Sequence, residues 1–77
     1  MKKIFVLQSQ YSKRIITASK SILKIKKYIL EQWFVSTEEK QKFLDQEKNY
    51  KNLGYSLEKF LGDNCFQFDL VFHVYDD

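Results

Sequence analysis

The chain has 77 residues, of which 44% are hydrophobic and 17% aromatic, and its formal net charge is +3. This composition is typical of one small packed domain over residues 1–77 and excludes a disordered chain. Its single cysteine, Cys65, excludes an internal disulfide, and no run of about 18 apolar residues is present, so we expect a cytoplasmic protein without a membrane span.

Charge is divided unequally along the sequence. The first thirty residues carry eight basic residues and no acidic one, whereas the remaining forty-seven carry five basic and ten acidic residues. The two parts therefore have formal charges of +8 and −5, which sum to +3. Because a basic surface attracts phosphate or an acidic protein, this segregation favours a binding role for the first part of the chain.

Two strands and a helix are predicted in the basic part. Short apolar runs at residues 4–8 and 14–18 are separated by a polar connection of hairpin length, which indicates two antiparallel strands. Ser19 or Ser21 can cap a helix that continues to about residue 34. Ile22, Ile25 and Ile29 recur at helical spacing and form its apolar stripe, with lysines on the opposite side.

Two further helices are predicted after residue 35. Ser36 and Glu39 fit a capping box, and the mostly polar helix that follows to about residue 49 is expected to be peripheral. Ser56 can cap a short third helix over residues 57–61. We expect Gly62 to end that helix in the left-handed conformation.

The last predicted element is a long strand over residues 65–75. Apolar and polar side chains alternate there, so that Phe66, Phe68, Leu70 and Phe72 share one buried face. The chain is therefore predicted to have an α+β fold, β-β-α-α-(α)-β, with a three-stranded antiparallel sheet and the helices on one face. The pattern leaves open which strand of the hairpin pairs with the last strand.

No catalytic constellation is predicted. Cys65 and His73 would share one strand face but lie about 26 Å apart along it, too far for a nucleophile and its base. Gly54 and Gly62 stand apart, so no phosphate-binding glycine loop is present. We therefore predict that the chain is not an enzyme and has neither a cofactor nor a metal site.

Basic side chains interleaved with aromatic ones suggest where a partner binds. They suit nucleic acid, which needs charge and stacking planes, but they equally suit a protein-docking surface or a plain solvated face. A tyrosine on the last strand is a further candidate anchor, because tyrosine is enriched among residues that dominate binding energy. The predicted binding residues are Tyr11, Lys13, Arg14, Lys20, Lys24, Lys27, Tyr28 and Tyr75.

The first thirty residues resemble a group of small accessory proteins of Firmicutes and their phages. The resemblance lies in residues 4–12, in Ile15 and Ile16, and in the Lys-rich helix with Tyr28. It implies an N-terminal β-hairpin followed by a Lys-rich helix, encoded by a phage or mobile element. No functional residue carries over from it.

These observations lead to two expectations for function. The first is a phage or mobile-element accessory protein that binds and inhibits or modulates a host macromolecule, for example an anti-defence or anti-CRISPR-type inhibitor. Its partner would be a host protein or a protein–nucleic acid complex. The alternative is a small nucleic-acid-binding protein that uses the basic part directly. A homodimer through the C-terminal strand is a further expected association, because it would add core area to a small chain.

Overall fold

The computed structural model describes residues 2–76. It confirms the predicted α+β class and the order of the elements. Among the described residues, no helix is both long and apolar enough to cross a lipid bilayer. The elements are β1 (Lys3–Ser9), β2 (Ile15–Ser19), α1 (Ile22–Tyr28), a π-helical turn (Ile29–Trp33), α2 (Thr37–Asn52), α3 (Leu57–Asn64), a 3-10 turn (Cys65–Phe68) and β3 (Leu70–Asp76).

The sheet is antiparallel in the order β2-β1-β3, so the last strand pairs with the first strand of the hairpin. Phe5 and Leu7 of β1 point to the helices and are buried in the core. The register between β1 and β2 shifts between Leu7 and Gln8, which places a bulge in β2. Both β2 and β3 are therefore edge strands, and β1 is the only strand paired on two sides in residues 2–76.

The first helix follows its predicted stripe. Ile25 and Ile29 are fully buried, which fixes α1 and the π-helical turn against the sheet. The turn widens where the Phe34 N–H donates to the Ile29 carbonyl oxygen five residues back. At its end the Trp33 indole N–H donates to the Phe68 carbonyl oxygen at 2.9 Å, which joins this helical segment to the 3-10 turn before β3.

Helix α2 exposes most of its side chains but sends one aromatic ring into the centre of the core. Its N-terminus has the predicted cap, in which the Ser36 hydroxyl accepts from the Glu39 N–H at 3.2 Å. Phe43 has no exposed surface and meets Phe34, Phe60 and Phe68 edge to face, with ring centroids 5.4, 5.0 and 5.8 Å away. Phe43 is thus the buried side chain that anchors this polar helix, and Tyr50 packs partly against the same core.

The predicted long strand over residues 65–75 is wrong in its first part. Helix α3 runs through Gly62 to Asn64, so Gly62 does not end it, and Cys65–Phe68 continue as a 3-10 turn. Asp69 then adopts a left-handed conformation with φ of 64°, and β3 begins only at Leu70. As a result Phe66 is 55% exposed instead of lying on a buried sheet face.

Candidate binding surface

Tyr11, Lys13 and Arg14 form what we call the turn cluster, on the loop that joins β1 to β2. All three are exposed, and Tyr11 has 77% of its surface accessible. The Ser9 N–H donates to the Arg14 carbonyl oxygen at 2.9 Å, and the Lys13 N–H donates to the Ser9 carbonyl oxygen at 3.1 Å. Lys13 itself has a left-handed backbone with φ of 61°. These bonds hold the cluster in a defined loop conformation.

The Tyr11 ring is held by a contact with Asp69, the residue just before β3. Its hydroxyl donates to Asp69 Oδ1 at 3.1 Å, and the Gln10 N–H donates to the Asp69 carbonyl oxygen at 3.0 Å. The hydrogen bond to the Asp69 carboxylate, followed by its negative charge, raises the pKa of Tyr11. Tyr11 therefore stays a neutral phenol, fixed on the surface while most of its ring remains exposed.

Lys20, Lys24 and Lys27 form a second group, the helix cluster, on and just before α1. All three side chains are exposed. Lys13 and Arg14 precede β2 and Lys20 follows it, so the strand's five residues separate them by about 17 Å. The predicted basic residues are thus divided into two clusters, at the two ends of β2.

Ion pairing across the fold neutralises other lysines of the first thirty residues. Lys26 Nζ lies 2.6 Å from Glu47 Oε2 on α2, and Lys3 Nζ lies 3.3 Å from Glu58 Oε2 on α3. No member of the turn cluster or the helix cluster has an ion pair within residues 2–76. The folded chain therefore leaves the basic side chains of both clusters free to meet an acidic surface.

The two remaining predicted tyrosines do not join these clusters. Tyr28 is half-buried and packs against the hydrophobic core, so only part of its ring faces solvent. Tyr75 is 56% exposed on β3, where it lies opposite Ile4 and its ring centroid is 6.0 Å from that of His73. Because β1 separates β3 from β2, Tyr75 lies on the strand at the opposite edge of the sheet from β2.

An apolar groove next to the helix cluster was not predicted from the sequence. It has a volume of about 380 Å³ and lies between α1, α2 and α3, with the Lys26–Glu47 ion pair in its wall. Leu23 of α1 is 65% exposed at its rim, and Tyr55 at its other side is 49% exposed. Nothing in the sequence indicates this groove, because it depends on how three helices meet.

Cys65 and His73 lie in different elements. Cys65 is buried in the 3-10 turn, and burial raises the pKa of its thiol to about 12. His73 is half-buried in β3 opposite Val6. Within residues 2–76 no three histidine, cysteine or carboxylate side chains are grouped so that they could hold a metal ion.

Comparison with known proteins gives no relative for this chain. No family model, curated protein or solved structure matches it.

Proposed function

We propose that this chain is a non-enzymatic binding protein of phage or mobile-element type that occupies an acidic surface of a host macromolecule and so inhibits or modulates it. One observation supports this above all. Ion pairs with the acidic half of the chain neutralise Lys3 and Lys26, while both exposed basic clusters stay unpaired among the described residues. The resemblance of the first thirty residues to phage accessory proteins supports the biological context.

Each cluster has a distinct part in this proposal. The helix cluster concentrates three exposed positive charges on α1 and just before it, which accelerates encounter with an acidic partner by electrostatic steering. The turn cluster supplies the anchor, since Tyr11 is exposed but held by Asp69, and a fixed aromatic ring loses little freedom on binding.

The test is charge reversal of the helix cluster with a matched control. Lys20→Glu, Lys24→Glu and Lys27→Glu together lower the formal net charge from +3 to −3, since each reversal subtracts two. The control reverses Lys40, Lys42 and Lys48, which are exposed on α2, and has the same net charge. Both variants and the unaltered chain are used to capture partners from host lysate after nuclease treatment, and the association rate of the recovered partner is then measured.

The proposal requires the two variants to differ. We expect the helix-cluster variant to bind the partner at least about tenfold more slowly than the control variant, because local charge and not net charge steers the encounter. Equal binding by both variants, or no partner that survives nuclease treatment, would remove this function.

Direct binding of nucleic acid is the second candidate, and the turn cluster is the observation that favours it. An exposed tyrosine ring beside Lys13 and Arg14 offers a stacking plane next to phosphate-binding charges. This function predicts an affinity for single-stranded oligonucleotides that falls steeply with salt, and a loss of that affinity in Tyr11→Ala. A flat salt dependence would eliminate it.

A further inference from the structure

The outer edge of β3 has no pairing strand within residues 2–76. The backbone N–H and C=O of Ser9 hydrogen-bond to Arg14 and Lys13, on the side of β2. The Gln10 N–H instead donates to the Asp69 carbonyl oxygen, on the side of β3. Because backbone groups alternate direction along a strand, and because His73 lies opposite Val6, the N–H and C=O groups of Val71, His73 and Tyr75 face β1. Those of Leu70, Phe72, Val74 and Asp76 point away from the sheet.

The two sheet edges differ in how they are protected. β2 is five residues long, contains a bulge and has basic residues immediately before and after it, all features that discourage edge pairing. β3 pairs with β1 in continuous register over Leu70–Asp76 and has no lysine, proline, glycine or bulge there. Only the β3 edge is left suitable for another strand.

A groove runs along the same edge between α3 and β3. It has a volume of about 490 Å³ and is lined by Phe72 and Val74 from the strand and, from the helix and its cap, by Ser56, Glu58, Lys59 and Gly62. Phe72 and Val74 point to the helix side but are only half-buried. A strand paired with β3 would place its own helix-side residues over these two.

The side chains of β3 are complementary to themselves in one antiparallel register. When two copies pair about a twofold axis at His73, Phe72 lies opposite Val74 of the second copy, and Val71 lies opposite its Tyr75. In this register the outward-facing backbone groups meet each other, which gives about eight interchain hydrogen bonds. Registers centred on Phe72 or Val74 pair fewer of the seven residues.

We propose that the chain forms a homodimer through antiparallel β3–β3 pairing centred on His73, which creates a six-stranded sheet with the helices of both copies on the same face. This inference does not depend on the proposed function. We expect a weak dimer with a dissociation constant between about 10 and 500 μM, because a single strand edge offers less contact than a standard interface of roughly 800 Å² per partner.

Sedimentation velocity from about 5 to 500 μM tests the dimer. Val74→Pro removes an N–H that points away from β1, so it blocks the edge without breaking a β1–β3 bond. Ala18→Pro is the control, because the Ala18 N–H points outward from the other edge by the same alternation. We expect Val74→Pro to be monomeric at 500 μM and Ala18→Pro to dimerise like the unaltered chain; a monomeric unaltered chain, or dimerisation of Val74→Pro, would overturn the proposal.

A chemical variant covers the case in which Val74→Pro does not fold. A synthetic segment 65–77 that carries N-methylvaline at position 74 can be ligated at Cys65, which keeps the side chain and removes only the outward hydrogen bond. Its circular dichroism spectrum shows whether it folds. If the folded variant is a monomer in sedimentation velocity at about 500 μM, the proposal is supported, and if it dimerises the proposal is overturned.

Cross-linking tests the register. Residues on the axis face their own copies at a Cα separation of about 4.5 Å, within reach of a disulfide, whereas Val71 faces Tyr75. With oxidised glutathione, His73→Cys is expected to form a covalent dimer and Val71→Cys to remain monomeric; Cys65 stays in place because it is buried. A covalent dimer of Val71→Cys but not of His73→Cys contradicts the register.

Discussion

Phe43 offers the sharpest test of how this small fold is held together. Its ring has no exposed surface and touches three other aromatic rings from different segments. Replacing a buried phenylalanine with alanine costs about 3–5 kcal/mol, and each aromatic pair adds about 0.5–1.5 kcal/mol beyond burial. A domain of 77 residues has a free energy of unfolding of about 4–12 kcal/mol, so Phe43→Ala is expected to remove a large part of that stability.

Phe43→Leu gives a measurable version of the same experiment. Leucine keeps most of the volume but loses the edge-to-face contacts, so we expect a loss of about 1–2 kcal/mol. Leu44→Ala is the control on the same helix, because Leu44 is 38% exposed and is expected to cost less than about 1 kcal/mol.

Urea denaturation followed by Trp33 fluorescence provides the readout. Trp33 is the chain's single tryptophan and bonds to the Phe68 carbonyl oxygen, so its emission changes when the core opens. If Phe43→Leu lowers the free energy of unfolding no more than Leu44→Ala does, the aromatic cluster does not anchor α2 and this account of the core is wrong.

Four further predictions concern individual side chains. Burial raises the pKa of the Cys65 thiol from 9.0 to about 12, so at pH 8 a disulfide reagent should label the folded chain about a thousandfold more slowly than the unfolded chain. Because the unfolded thiol ionises first, stability falls as pH rises above 9.0, which pH-dependent urea titration measures. Lys13→Gly should raise the free energy of unfolding by about 0.5–1 kcal/mol by relieving its left-handed backbone. Ser36→Ala and Ser56→Ala should each lower the free energy of unfolding by about 1 kcal/mol through loss of a helix cap. Unchanged urea midpoints would contradict the argument about the Lys13 backbone and the argument about the two helix caps.

Local signals account for the elements that the sequence predicted well. Ser36 and Ser56 each accept a hydrogen bond from the N–H three residues later, as cap residues do. Gly54 adopts φ of 83° in the predicted turn between α2 and α3. These signals need no tertiary contact, and they placed the starts of both helices correctly.

The error at residues 65–68 came from two periodicities in one segment. Phe66, Phe68 and Leu70 alternate as in a strand, but Leu61, Cys65 and Phe68 also continue the helical spacing of α3. Packing decides between them, because Cys65 and Phe68 both reach the core while Phe66 turns outward. Sequence alone gave Gly62 too much weight as a helix end.

The candidate surface was predictable by residue type but not by arrangement. Exposure of the lysines followed from their position opposite the apolar stripe, whereas the loss of Lys26 to an ion pair with Glu47 depends on how α2 crosses α1. The division into two clusters likewise depends on the course of β2. Long-range pairing leaves no periodic signal in a single chain.

The β3 edge and β2 lie on opposite sides of β1, so a dimer would leave the helix cluster of each copy free, whereas Tyr11 of the turn cluster contacts Asp69 just before β3. The strand order across such a dimer puts the two copies of β2 five spacings, or about 24 Å, apart. A dimer would then bind a repeated acidic surface bivalently, and avidity would exceed the affinity of one copy by about tenfold or more. We therefore expect Val74→Pro to weaken binding to an immobilised partner while leaving the affinity for that partner in dilute solution unchanged, as surface plasmon resonance and titration calorimetry would measure. If Val74→Pro loses the same affinity for the immobilised partner as for the partner in solution, the β3 edge itself contacts the partner. The binding surface would then include this edge as well as the basic clusters.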